Sequence, residues 1–260
     1  MKKSTAVVLF ILFLFPICVL AKNESASDKN VSAPTAKKVS APAAKNVLSP
    51  VEEQFKKNFP KNYFESITPT DIKGVYEVYT GNQIYYYMPK DDAVIYGSLV
   101  LKNGVNITRE SFFKKISQKM AKIPLDSALK IGNGKTAVVE FADPNCYHCR
   151  QAYKFLSQRK DVTIYAFLVP LLSKDSGDKI KHILCSKDVL KTYDDVMSEN
   201  FDNKTPLNIC TDKKVEETVK TYQQFASQVG IRETGVPLFY IKGQAVSGFD
   251  APTMEKILKD

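Results

Sequence analysis

The run AVVEFADPNCYHC, from Ala137 to Cys149, constrains this chain more than any other stretch. Ala137, Val138, Val139 and Phe141 form a brief apolar run, the pattern of a buried strand. Asp143, Pro144 and Asn145 break it. Beyond the break, Cys149, Ala152, Tyr153 and Leu156 recur at i, i+3, i+4 and i+7, one face of a helix. Cys146 therefore falls at a helix N-terminus, where unpaired N–H groups and the helix dipole stabilise an anion. A cysteine gains thiolate character there at neutral pH. Cys149, one turn on, lies inside the helix. The pair reads as an attacking thiol with a resolving thiol behind it.

Two other readings compete. A Cys-x-x-Cys pair can be half of a zinc site, but a structural site needs four ligands, usually from a second close pair. Cys185 and Cys210 are single and far apart, and His148 and His182 are the only histidines. A purely structural disulfide is the second alternative. The strand–turn–CxxC–helix context favours redox chemistry over both, with no metal and no cofactor expected.

The chain opens with an export signal over residues 1–21. Lys2 and Lys3 make a positive start, Ala6 to Leu20 is apolar, and Val19-Leu20-Ala21 is a cleavage site. The apolar run of 15 residues is short of the roughly 20 that span a bilayer. Cys18 lacks the small preceding residues of a lipoprotein site. Cleavage after Ala21 removes it and leaves four cysteines, an even number suited to an oxidising compartment. The expected location is a bacterial periplasm. Residues 22–50 repeat KNVSAP, KKVSAP and KNVLSP with a period of eight, and offer too little apolar surface to bury. A disordered linker is expected there.

Signal and linker carry +2 and +3 of the formal charge of +9, leaving +4 for residues 51–260. Without an Arg-rich face, that balance gives no support for nucleic-acid binding. A short helix is expected over Val51 to Phe59. Strands are expected over Gly74–Tyr79, Ile84–Met88, Val94–Leu101 and Val105–Ile107, an antiparallel meander punctuated by turns. Seven of the thirteen tyrosines lie between Tyr63 and Tyr96. Lacking a basic face, these aromatics read as packing or an interface. Thr108 is expected to cap a linker helix ending near Pro124. The remainder reads as β, α, β, a long helical stretch, then a hairpin and a last helix from Thr253. This is an α+β chain: a small antiparallel sheet, a linker helix, and a thioredoxin-like domain with a helical insertion.

These residues resemble the DsbC/DsbG family of periplasmic disulfide isomerases. The resemblance rests on FADPNCYHC, the pair Cys185 and Cys210, Thr234-Gly-Val-Pro237 before a strand, and Asp71 to Thr108 ending GSLVLKNGVNIT. It implies a dimerisation domain over 51–108, a linker helix over 109–128, and a redox domain over 129–260 with its insertion at about 171–229. It also implies roles: Cys146 as nucleophile, Cys149 as resolving thiol, Pro237 as a cis-proline in the client groove beside Val236, and Cys185–Cys210 as a structural disulfide. The implied partners are a second copy of the chain, unfolded or misoxidised exported proteins, and a membrane redox protein, either a DsbD-like reductant or a DsbB-like oxidant.

Three positions depart from the isomerase pattern. Tyr147-His148 stands between the cysteines, and the His resembles that of DsbA oxidases. Val236 precedes the proline where those isomerases carry Thr. Glu140 stands six residues before Cys146, where they carry an apolar residue and oxidases a buried acid; the alternative is an edge-strand Glu facing solvent. Tyr147, His148 and Glu140 are therefore the expected redox-tuning residues. The leading expectation is a homodimeric isomerase. The alternatives are a dimeric DsbA-like oxidase or dual-function enzyme, and, from another class, a holdase chaperone.

Overall fold

A computed structural model of the protein describes residues 48–199 and 206–259. The expected export signal, and the repeat linker as far as residue 47, lie outside these residues. Ser49 and Pro50, at the linker's end, begin the first helix, α1 (Pro50–Asn58). Ser49 and Glu52 form a reciprocal capping box, and Pro50 occupies the first turn, where its missing N–H is harmless. The helix buries Phe55, whose ring lies 5.0 Å from Tyr87 and 5.7 Å from Phe64.

Strands β1 (Ser66–Pro69), β2 (Tyr76–Tyr79), β3 (Ile84–Met88) and β4 (Ala93–Ile95) form an antiparallel sheet in sequence order. Burial of Tyr79, Tyr85, Tyr86 and Tyr87 makes the aromatic cluster chiefly a packing device. β1 is an additional strand; its Pro69 is tolerated at the sheet edge. β4 stops at Ile95, short of the expected Leu101, and Val105–Ile107 is not a strand. Instead Val100 makes an isolated bridge to Asn106. Asn106, not Thr108, caps helix α2 (Ile107–Met120) by accepting the Arg109 N–H at 2.9 Å. The Thr108 hydroxyl is occupied elsewhere, accepting the Leu99 N–H and pairing with Tyr86.

The second sheet contains β5 (Leu129–Ile131), β6 (Thr136–Ala142) and β7 (Val162–Leu168), with β8 (Leu238–Ile241) and β9 (Gln244–Ser247). Their order is β5-β7-β6-β8-β9; β6 and β7 run parallel and the other pairs antiparallel. Helix α3 (Tyr147–Leu156) connects β6 to β7, the right-sized crossover for a parallel pair. Helices α4 (Lys174–Leu184), α5 (Val189–Met197), α6 (Lys213–Gln228) and the short α7 (Ile231–Thr234) lie between β7 and β8. Lys242 and Gly243 turn the final hairpin with φ of 47° and 87°, the left-handed pair a tight hairpin needs. Helix α8 (Ala251–Lys259) closes the chain's described part. This is a thioredoxin-like fold with a helical insertion.

Two contacts of α2 join the sheets within this unit. Its Ser117 hydroxyl accepts the Ala245 N–H of edge strand β9 at 2.8 Å, and Lys119 donates to the Gly81 carbonyl at 2.6 Å. The central place of β6, covered on both faces, leaves Val138 to Ala142 buried without alternation.

Candidate active site

Strand β6 delivers the chain to a turn over Asp143, Pro144 and Asn145, and the turn delivers it to α3. Cys146 is the N-cap residue of that helix: its sulfur accepts the Cys149 N–H at 3.3 Å. From the opposite side the Val236 carbonyl lies 3.6 Å from the same sulfur. The Val236–Pro237 peptide bond is cis. The structure thus brings Cys146, Cys149, Val236 and Pro237 together. Both cysteines carry free thiols, and Cys146 is 4% exposed while the adjoining Tyr147 is 64% exposed.

The two thiols differ sharply. The Cys149 thiol, hydrogen-bonded to the Cys146 sulfur, lowers the Cys146 pKa to about 7; burial opposes this, and the N–H groups of Cys149 and His148 assist. Burial pushes the Cys149 thiol far above the ordinary thiol range, reinforced by its bond to Cys146 and by the charge of Glu140. The inner thiol's hydrogen bond, assisted by the helix N-terminus, thus acidifies the outer thiol, and a dry interior suppresses the inner one. His148 enters through its backbone. Its imidazole is exposed, with its ring 5.4 Å from that of Tyr147.

Glu140 is fully buried, paired across to Ala166 on β7 and Phe239 on β8. Neither carboxyl oxygen has a hydrogen-bond partner, and burial, then the nearby Cys146, lifts its pKa to about 8. A carboxyl in that state holds its proton at neutral pH. Around it, the Tyr193 hydroxyl is also buried and unpartnered, and Tyr153 donates to Asp194 at 2.8 Å.

A second carboxylate follows three residues later and was not singled out from the sequence, where Asp143 reads only as a turn former. It is fully buried. Its oxygens accept the Asn145 N–H and the Ser176 hydroxyl at 2.7 Å, and the N–H groups of Leu171 and Leu172 at 2.7 and 2.8 Å. Asn145 extends the network, donating to Ser173, Asp175 and Ser176 and accepting from Lys179 at 2.6 Å. The turn ahead of Cys146 is thereby fastened to the start of α4.

Away from these thiols, Cys185 and Cys210 have their sulfurs 1.99 Å apart and form a disulfide between the end of α4 and the segment before α6. His182, one turn before Cys185, accepts the Asn208 N–H at 2.8 Å beside it.

Residues 29–109 match the family described as the disulfide bond isomerase protein N-terminal domain, and residues 125–260 match the thioredoxin-like domain family. A probable thiol:disulfide interchange protein DsbC of Bordetella parapertussis is 30% identical over 201 residues, 76% of this chain and 69% of that protein. Its counterpart in Bordetella avium is 35% identical over 152 residues, 57% of this chain and 54% of that protein. The chain thus spans about half of one of these relatives and two thirds of the other. Among solved structures, a disulfide interchange protein from Neisseria gonorrhoeae is 32% identical, covering 53% of this chain and 96% of its own, with a TM-score of 0.42. No helix of the described residues is long and apolar enough to cross a membrane.

Proposed function

We propose a function from this premise: the chain belongs to the DsbC family of thiol:disulfide interchange proteins, and it acts as a periplasmic disulfide isomerase on exported proteins. The observation that carries the reading is the asymmetry of the dithiol: Cys146 caps α3, accepting the Cys149 N–H at 3.3 Å with the Val236 carbonyl 3.6 Å away, while Cys149 is fully buried one turn behind it, and the directions of their pKa shifts agree. The Cys146 thiolate attacks one sulfur of a client disulfide, forms a mixed disulfide and releases the other client sulfur as a thiolate. A different client thiolate then attacks the client sulfur of the mixed disulfide. It forms a new client bond and returns Cys146 as thiolate, with no net oxidation. Cys149 attacks Cys146 only when that exchange stalls, which releases a reduced client and leaves the Cys146–Cys149 disulfide. A membrane reductant of the DsbD type restores the dithiol.

Val236 and Pro237, beside the thiol, line the client groove, and Cys185–Cys210 holds the insertion. The sheet β1–β4 pairs two chains into a homodimer whose two redox domains retain a client through successive exchanges. The periplasm, reached by removal of residues 1–21, is the compartment where such clients oxidise.

Burial of Glu140 supports a second reading, a dual isomerase and oxidase, because a protonated acid near Cys149 can take part in its proton exchange. One experiment separates the two: recovery of active ribonuclease from its scrambled form and, in parallel, from its reduced form. The isomerase reading expects recovery from scrambled ribonuclease, lost in Cys146→Ala. Recovery from both forms would establish the dual enzyme, and recovery from reduced ribonuclease alone would replace both readings with the oxidase. Suppressed aggregation of a cysteine-free client with neither recovery would leave only a holdase.

A further inference from the structure

The Asp143 carboxylate is buried with all its hydrogen-bonding capacity engaged by donors without formal charge: two N–H groups of the loop after β7, one N–H of its own turn, and the Ser176 hydroxyl of α4. A carboxyl receiving four donors is an acceptor throughout, hence an anion. Its own backbone carbonyl accepts the Cys146 N–H at 2.9 Å, so charge and nucleophile share one turn. Fixing an anion so close to a position where a thiolate must form works against that thiolate. A turn that only needed rigidity could have used an uncharged side chain.

We propose that Asp143 is a positioning residue with an electrostatic role, in that it fastens the active-site turn to the insertion and limits how far the Cys146 thiol is acidified. The proposal rests on Cys146 being the attacking thiol. Facing that thiol are Glu140 from β6, Cys149 and the His148 N–H from α3, and the Val236 carbonyl from the loop before β8. Beyond Asn145 lie Lys179 and Asp175 of α4. The direction agrees with the balance at the thiol. The Cys149 hydrogen bond draws the Cys146 pKa down, burial opposes it, the two N–H groups assist, and the Asp143 charge again opposes. The functional sense follows: a thiolate that is too stable is a weaker nucleophile and a better leaving group, and it loses mixed disulfides early.

The test is a thiolate titration of the reduced full-length protein by absorbance at 240 nm, with iodoacetamide alkylation rates across the same pH range. Cys149 stays protonated there, so the curve reports Cys146. Asp143→Asn removes the charge and is expected to lower the Cys146 pKa by about half a unit or more, roughly a threefold rise in thiolate on the acid side of the curve. Ser176→Ala keeps the charge but removes a donor that partly offsets it, and is expected to raise the Cys146 pKa. A turn that is merely loosened would shift both variants the same way, and that result would overturn the proposal. Should Asp143→Asn fail to fold, Ser176→Ala decides alone: an unchanged or lowered pKa rejects the electrostatic role. A wild-type Cys146 titrating as an ordinary thiol would instead overturn the reading of Cys146 as nucleophile, and this proposal with it.

Discussion

Glu140 supplies the sharpest test of how this active site is built. Its pKa rises from an ordinary 4.5 to about 8 because its carboxyl is buried without a partner, with the Cys146 sulfur adding to the effect. A folded acid with a raised pKa binds its proton more tightly than the unfolded chain does. The stability it permits is therefore full below 4.5 and is lost progressively as pH rises to about 8. Between pH 5 and pH 7 the native state should lose about 2–3 kcal/mol from this one group, at roughly 1.4 kcal/mol per unit. Cys146, whose pKa is lowered to about 7, acts in the opposite sense, chiefly above that pH, which is why the window stops there. Replacing Glu140 with Leu removes the titrating group while keeping an apolar side chain of similar bulk. Urea unfolding of the reduced protein and of Glu140→Leu at pH 5, 6 and 7 should give a stability difference that grows in the variant's favour by that amount. A difference independent of pH would mean that Glu140 is ionised and solvated in the folded protein, and the account of the site would fail.

Three further outcomes are expected. Replacing Cys185 and Cys210 together with Ser should lower stability by about 3 kcal/mol in urea unfolding, since the bond closes a loop of sequence separation 25. Deleting residues 22–110 should yield a folded redox domain that sediments as a monomer with little isomerase activity; a full-length protein that is itself monomeric at micromolar concentration would refute the dimer. His148→Tyr should raise the Cys146 pKa by no more than about half a unit, because an exposed imidazole is screened by water and the residue's N–H is retained. A shift of a full unit in the thiolate titration would assign the imidazole a larger role.

What could be read from the residues was what local pattern controls. The apolar run of β6, the breaker at Asp143 to Asn145 and the helical spacing from Cys149 define the strand–turn–helix without any partner. The edge strands β1 and β5 left weak marks because they are three or four residues long and carry Pro69 or Lys130. Val100 and Val105 look like strand residues, yet Asn106 captures the Arg109 N–H and starts a helix. A cap three residues from its donor defeats a weak β preference. The Asp143 network had little local signal: the Asn145 N–H two residues on marks only a turn, and its other three partners stand 28 to 33 residues away and meet it only when α4 folds over the turn. Glu140 was half legible: its flanks look buried, but which strand sits at the centre of the sheet is a property of topology.

Glu140 and Asp143 resolve the same physical problem in opposite ways, and the difference explains how one short segment can support exchange chemistry. Burying a carboxylate is prohibitive unless it is neutralised or fully hydrogen-bonded. Glu140, with no donors, is neutralised by its own proton, so at pH 7 it adds little charge beside Cys149. Asp143, with four donors, keeps its charge and opposes the acidification of Cys146. Cys149 is meanwhile suppressed chiefly by burial. The outer thiol is thus acidified toward neutral pH only in part, and the inner thiol is held protonated behind it. Under the proposed isomerase function, a mixed disulfide formed at Cys146 would then last long enough for the client's own thiols to compete for it, which is the kinetic condition that separates isomerisation from simple reduction.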